Sequence, residues 1–214
     1  MNQACSCVLC DSNEIQTYYS NENLSYLQCL NCDLVFLPNS FHLNNTDEKS
    51  RYDLHQNNVN DIGYRSFLST VFGPVDKYIE PDAKGLDFGS GPGPTLSLMF
   101  EDKGYKVDLY DKYYADNKQV FGKTYDFITA TEVLEHLDNP KDEIDRLFSM
   151  LNTNGVLAVM TQLLDEKIDF ATWHYKNDPT HICFFSKKTL HYLAKKYKAK
   201  LEIIGSNTAL FFPY

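Results

Sequence analysis

The chain has no long hydrophobic run; its longest uninterrupted apolar stretch is Val156–Met160. A membrane-spanning helix needs ~20 apolar residues, so no membrane segment is expected. The first twenty residues, MNQACSCVLCDSNEIQTYYS, lack the apolar segment of a secretory leader, which makes a cytoplasmic location the expectation. Positive charge is also scarce: 20 Lys and Arg face 29 Asp and Glu, a net charge of −9. A body that acidic repels phosphate backbones, so nucleic acid is not an expected partner. Beyond residue 32 the chain has one cysteine, Cys183. Low-complexity tracts and internal repeats are missing too. With 43% hydrophobic and 23% charged residues, the 214-residue chain has what a folded core needs. Nothing in the sequence sets an oligomeric state.

The other five cysteines crowd into the first 32 residues. Cys7-Val-Leu-Cys10 and Cys29-Leu-Asn-Cys32 are two C-x2-C knuckles with eighteen residues between them. Each knuckle aims two thiolates at one point, and two knuckles complete a closed tetrahedron, the arrangement of a structural zinc site. A segment this short cannot bury enough surface alone, and metal binding would supply its folding energy. Cys5 is an alternative first ligand, but the symmetric repeat of C-x2-C favours Cys7. The expected ligands are therefore Cys7, Cys10, Cys29 and Cys32, with Zn2+ in a structural role. A zinc-ribbon-like unit over 1–40, a linker, lid and first helix over 41–80, and a core over 81–214 follow as the expected organisation.

Leu34–Leu37 reads as a strand closed by Pro38, and residues 41–61, rich in Asn and Asp, as an aperiodic connection. Within that connection, Tyr52–Asn58, with His55, is either a solvated loop or a lid over a ligand. Apolar spacing at Phe67, Leu68, Val71, Phe72, Val75 and Ile79 predicts a helix over Ile62–Glu80, bent or split at Gly73-Pro74. Strands and helices then alternate. Strands are expected at 85–88, 105–110, 125–129, 155–161, 201–204 and 208–212, and helices at 95–103, 140–151 and 186–197. That order predicts an α/β fold, a doubly wound and mostly parallel sheet ending in a β-hairpin.

The strand ending in Asp87 and Phe88 runs into Gly89-Ser-Gly-Pro-Gly-Pro-Thr95. Glycines there admit left-handed backbone and let a ligand approach closely, as nucleotide-type cofactor turns require. A dinucleotide turn aims helix N-terminal amides at a pyrophosphate. Here Pro92 and Pro94 withhold two such amides, which suits a ligand without phosphate, such as S-adenosylmethionine (SAM). No G-K-[ST] follows, which excludes a P-loop. Asp111, at the end of the next strand, stands where a carboxylate can accept both ribose hydroxyls.

Leu86–Thr95, Tyr110-Asp111 and Tyr125–His136, with its Glu132-Val-Leu-Glu-His136 continuation, resemble the Rossmann-fold SAM-dependent methyltransferases, including quinone-biosynthesis-like enzymes acting on small molecules. The cysteine segment looks like the zinc-binding segment of some sugar and small-molecule methyltransferases. The resemblance implies a sheet of order 3-2-1-4-5-7-6. It also implies a cofactor site of Asp87, Phe88, Gly89, Ser90, Gly91, Asp111, Lys112, Thr131 and Glu132, with Asp111 on the ribose and Thr131 and Glu132 beside the sulfonium. In one respect the chain departs from the pattern: thirteen residues between Asp111 and Tyr125 are too few for a helix and a third strand. The adenine-contacting acid of the family cannot be placed on the sequence, Asp116 and Asp126 both being open, and the adenine pocket is expected to be either shallower or closed by aromatic residues such as Tyr110, Tyr113 and Tyr114.

Methyl transfer needs an in-line nucleophile and exclusion of water, and an oxygen or nitrogen acceptor calls for a base of near-neutral pKa. His136, His174 and His181 are the catalytic candidates. A second metal on His174, Asp178 and His181 matches no familiar ligand spacing. The expected activity is SAM-dependent methyl transfer to a small-molecule acceptor. One alternative is a zinc-ribbon regulatory or partner-binding protein on a SAM-binding scaffold without turnover. The other is an NAD-dependent oxidoreductase.

Overall fold

The computed structural model describes residues 6–54 and 58–214. Cys5 and His55 lie outside the described residues.

The chain opens with an antiparallel pair, β1 (Ile15–Ser20) and β2 (Ser25–Cys29), followed by the short β3 (Val35–Phe36). Helix α1 (Asn45–Tyr52) occupies part of the stretch expected to be an irregular connection. None of its residues is buried, so it has no apolar face for the sequence to reveal. Its signals are polar instead. The Asn44 side chain accepts from the amides of Thr46 and Asp47, Asp47 and Glu48 sit in the first turn, and Lys49 and Arg51 in the last.

Helix α2 (Ile62–Asp76) continues through Gly73-Pro74 instead of splitting. Pro74 stands two residues from its C-terminal end, where little helix remains for the missing amide to disturb. Then come β4 (Lys84–Phe88), α3 (Thr95–Glu101), β5 (Lys106–Tyr110), β6 (Tyr125–Thr131), α4 (Pro140–Ser149) and β7 (Leu151–Met160). The chain finishes with β8 (Cys183–Phe184), α5 (Lys187–Lys196), β9 (Ala199–Ile204) and β10 (Thr208–Pro213).

Six strands form the main sheet in the order β5-β4-β6-β7-β10-β9. β4 pairs in parallel with β5 and β6, and β6 with β7, while β10 runs antiparallel to both β7 and β9. This is the expected mostly parallel sheet with a terminal hairpin, short of one strand. Between Tyr110 and Tyr125 the chain makes only an Asp111–Ala115 bridge and a 3-10 turn, Lys118–Gly122. β5 is therefore an edge strand.

One face is covered by α2 and α3, through Leu68, Val71, Val75, Leu96 and Phe100 packed on Phe127 and Val156. The other is covered by α4 and α5, through Ile144, Leu147, Leu190 and Leu193. The cysteine segment is built into that second layer. β8, from the far end of the chain, pairs with β3 and completes a four-stranded sheet, β1-β2-β3-β8. A single buried cluster runs from Cys7, Leu9 and Cys29 through Phe184 to Leu157.

Candidate active site

The ends of β4, β5 and β6 open onto a cavity of about 650 Å³. Its wall includes Phe88, Gly89, Ser90, Gly91, Asp111, Lys112, Thr131 and Glu132, so eight of the nine expected cofactor residues meet there. The ninth, Asp87, is buried beneath, where its carboxylate accepts from Thr129 Oγ1 at 2.9 Å.

Gly89 takes φ +77°, and a Cβ placed on it would stand 2.3 Å from Val133 Cγ2. Only glycine fits that turn. The amides of Gly89 and Ser90 both donate to the Tyr110 carbonyl, at 2.7 and 3.2 Å, and the Gly91 amide donates to Asp111 Oδ2 at 2.9 Å. Thr95 N donates to Gly93 O. Pro92 and Pro94 lack N–H groups, and the amides of Gly89, Ser90, Gly91 and Thr95 all turn to acceptors within the protein. Asp111 Oδ1 accepts in addition from the amides of Tyr113 and Tyr114 at 2.8 and 3.0 Å. A carboxylate offers about four acceptor sites, so one remains. Phe88 and Tyr110 stack at 5.2 Å and supply an aromatic wall. Lys112 turns toward α1, with Nζ 3.1 Å from both Asn45 Oδ1 and Glu48 Oε2.

Two hydroxyls of this wall, Ser90 Oγ and Thr131 Oγ1, are buried without a hydrogen-bond partner in the protein. Orphaned buried hydroxyls cost free energy unless something else meets them. At the base of the wall, burial pushes the Asp87 carboxyl up to about 6, against the Thr129 hydrogen bond that lowers it. Folded protein thus keeps this proton up to about pH 6, whereas the unfolded chain releases it near 3.8. The folded state binds more protons in that window, so this contribution to stability is fully present below it and lost as pH rises through it. Asp87→Asn is expected to reduce the fall in urea-unfolding free energy between about pH 4 and about pH 6 by about 2 kcal/mol. An unchanged slope in the variant would place the effect on another group.

On the far side of the cavity lie His136 and His181, their rings 4.7 Å apart. His136 Nδ1 donates to the Thr180 carbonyl at 2.9 Å and His181 Nδ1 to the Tyr175 carbonyl at 2.7 Å. Burial, then the neighbouring His136, holds His181 below its ordinary pKa and keeps its ring neutral. His174 is exposed, in the 3-10 turn His174–Asn177, and does not join the wall.

Two residues that the sequence pattern does not single out sit behind the histidines. The Tyr175 hydroxyl donates to Glu135 Oε1 and lies 3.3 Å from Glu132 Oε2. Burial, with Glu135 next to it, pushes Glu132 up to about 8. Glu135 stands inside the same Glu-Val-Leu-Glu-His run that supplied Glu132 and His136, but nothing local shows that it faces inward. Helix α1 contributes Glu48 and Tyr52 to the cavity wall. Its Tyr52 ring stands 5.3 Å from His136, and its Arg51 pairs with Asp178 at 3.5 Å.

The four cysteines meet as expected. Sγ atoms of Cys7, Cys10, Cys29 and Cys32 all lie within 4.8 Å of one another. The closest pairs, Cys7–Cys32 and Cys10–Cys29, are 3.5 Å apart, far beyond a disulfide bond. The knuckles are built alike. Asp11 N donates to Cys7 O at 3.0 Å and Asp33 N to Cys29 O at 2.9 Å, with φ +58° at Asp11 and +64° at Asp33.

A family model described as a methyltransferase domain matches residues 63–202. The chain belongs to that family. The matched stretch takes in β4–β7, the glycine turn, Asp111 and both cavity histidines of this methyltransferase domain. Ubiquinone biosynthesis O-methyltransferase of Photobacterium profundum is 32% identical over 74 residues, which is 35% of this chain and 32% of that protein. The match thus spans about a third of the length of that curated relative.

Among solved structures, human N-acetylserotonin methyltransferase in complex with SAM aligns with TM-score 0.54 at 17% identity, over 68% of this chain and 51% of that one. CalO1, a methyltransferase of calicheamicin biosynthesis in its SAH-bound form, aligns with TM-score 0.52 at 12% identity, over 79% and 59%. At such identities the likeness is one of fold. Among the described residues, no helix is long and apolar enough to cross a membrane.

Proposed function

We propose that this protein transfers a methyl group from SAM to a small-molecule acceptor, with Zn2+ held structurally by Cys7, Cys10, Cys29 and Cys32. The observation that carries the reading is the glycine turn, whose Gly89, Ser90 and Gly91 amides are spent on Tyr110 and Asp111 and whose Pro92 and Pro94 have none to offer a pyrophosphate. Bound SAM would supply a methyl carbon made electrophilic by its sulfonium. Asp111 would hold the ribose with its remaining acceptor site, Ser90 and Thr131 would offer their unpartnered hydroxyls, and Phe88 and Tyr110 would flank the adenine. Thr131 and Glu132 border the sulfonium side. His136 and His181 meet the acceptor, while α1 with Tyr52 excludes water, so orientation supplies much of the rate. His174, exposed and outside the cavity wall, takes no part. A reduced four-thiolate site fits a cytoplasmic location.

Calorimetry separates this reading from its rival. SAM and its demethylated product should both bind, and NAD should give no heat of binding. Uptake of NAD with indifference to SAM would overturn the proposal.

A further inference from the structure

Behind the acceptor side of the cavity, Glu135, His136 and His181 each offer a ligand-type atom, all within 4.8 Å of one another. Glu135 is completely buried, and its Oε2 has no hydrogen-bond partner in the protein. A buried carboxylate oxygen left bare is costly, so something with positive charge or a donor is owed to it.

The surroundings are arranged as they are around metal ligands. Both imidazoles donate Nδ1–H to backbone carbonyls, Thr180 and Tyr175, which fixes the tautomer with its lone pair on Nε2. The second oxygen of Glu135 is held by the Tyr175 hydroxyl. Tyr175 therefore orients two of the three groups, His181 through its carbonyl and Glu135 through its phenol. Thr161 Oγ1, 3.1 Å from that phenol, anchors it in turn. The grouping differs from the His174, Asp178 and His181 set that the sequence offers. His174 is exposed, and Asp178 is engaged by the amide and hydroxyl of Thr180 at 3.0 and 2.7 Å.

We propose that Glu135, His136 and His181 bind a divalent transition-metal cation, and that this cation takes the hydroxyl oxygen of the methyl acceptor. The second clause rests on the methyl-transfer reading given above; the cation site itself does not. Two imidazole nitrogens and one carboxylate oxygen favour zinc, iron, cobalt or nickel over magnesium or calcium. Three protein ligands leave coordination positions for water or substrate. A cation-bound hydroxyl loses its proton to water more readily. Its oxygen then forms the new C–O bond as the C–S bond breaks, the bonding pair stays on sulfur, and a neutral thioether leaves.

Co2+ titration of protein whose four-cysteine site is already filled with zinc tests the site without recourse to turnover. The wild type should take up one further equivalent, with visible ligand-field bands and no thiolate-to-cobalt charge-transfer absorption. Glu135→Gln and His181→Ala should each weaken that uptake by at least about tenfold, since even outer partners of metal ligands are worth that much. Binding of S-adenosylhomocysteine, which needs neither side chain, reports that each variant is folded. No further equivalent in the wild type would overturn the inference, as would uptake undiminished in both variants. Loss of S-adenosylhomocysteine binding by the wild type, with cobalt still bound, would overturn the methyl-donor reading and leave the cation site standing.

Discussion

Asp111→Ala is expected to lower SAM affinity at least about a hundredfold. A hydrogen bond to a charged group contributes ~1.5–3 kcal/mol, so the one ribose hydroxyl that meets the remaining acceptor site of Asp111 supplies most of the ~2.8 kcal/mol that a hundredfold represents. A second effect adds to this. Asp111 also accepts from the amides of Gly91, Tyr113 and Tyr114, so its carboxylate fixes the shape of the turn that the donor must enter. Asp111→Asn separates the two contributions, because an amide oxygen can still hold part of the loop but no longer offers a charge to the ribose. Its affinity should fall between those of the wild type and the alanine variant. Calorimetric titration of the three proteins decides the matter, and equal affinities would remove Asp111 from the donor site.

If the four cysteines hold zinc as proposed, loss of that metal should have the largest effect on stability. Cys29→Ser, or prolonged chelation, is expected to lower the melting temperature by more than about 10 °C and to melt both sheets in one transition. Structural zinc contributes ~10–16 kcal/mol of binding free energy in isolated fingers, as much as the whole stability of an ordinary domain. For a chain of this length each 1 kcal/mol shifts the midpoint by ~2–4 °C. The damage should spread because Leu34, Val35, Phe36 and Leu37 are buried in the cluster that reaches Leu157, and because β3 pairs with β8. Two separate transitions, with the second sheet and SAM binding untouched, would show that the cysteine segment is an independent appendage.

The central architecture was legible because its signals are local. Alternating apolar strands, the proline-rich glycine turn, and the thirteen residues that leave no room for a third strand can all be read along the chain. The cysteine site was legible for the same reason, since its chemistry is written in spacing. Helix α1 escaped notice because its stabilising groups are polar caps and partners from elsewhere, such as Lys112, with no buried stripe. β8 is two residues long and exists only because β3 lies beside it. Glu135 and Tyr175 were invisible as a pair because forty residues separate them, and only the closed fold shows that one bears on the other.

The pairing of β3 with Cys183–Phe184 also fixes an order of events during synthesis. The cysteines leave the ribosome well before Cys183–Phe184 and can capture a cation early, yet the edge of β3 stays bare until the roughly 150 residues between them have been made. Through that interval the nascent chain must carry an open hydrophobic seam, with the proposed ion alone holding the cysteine knuckles in register.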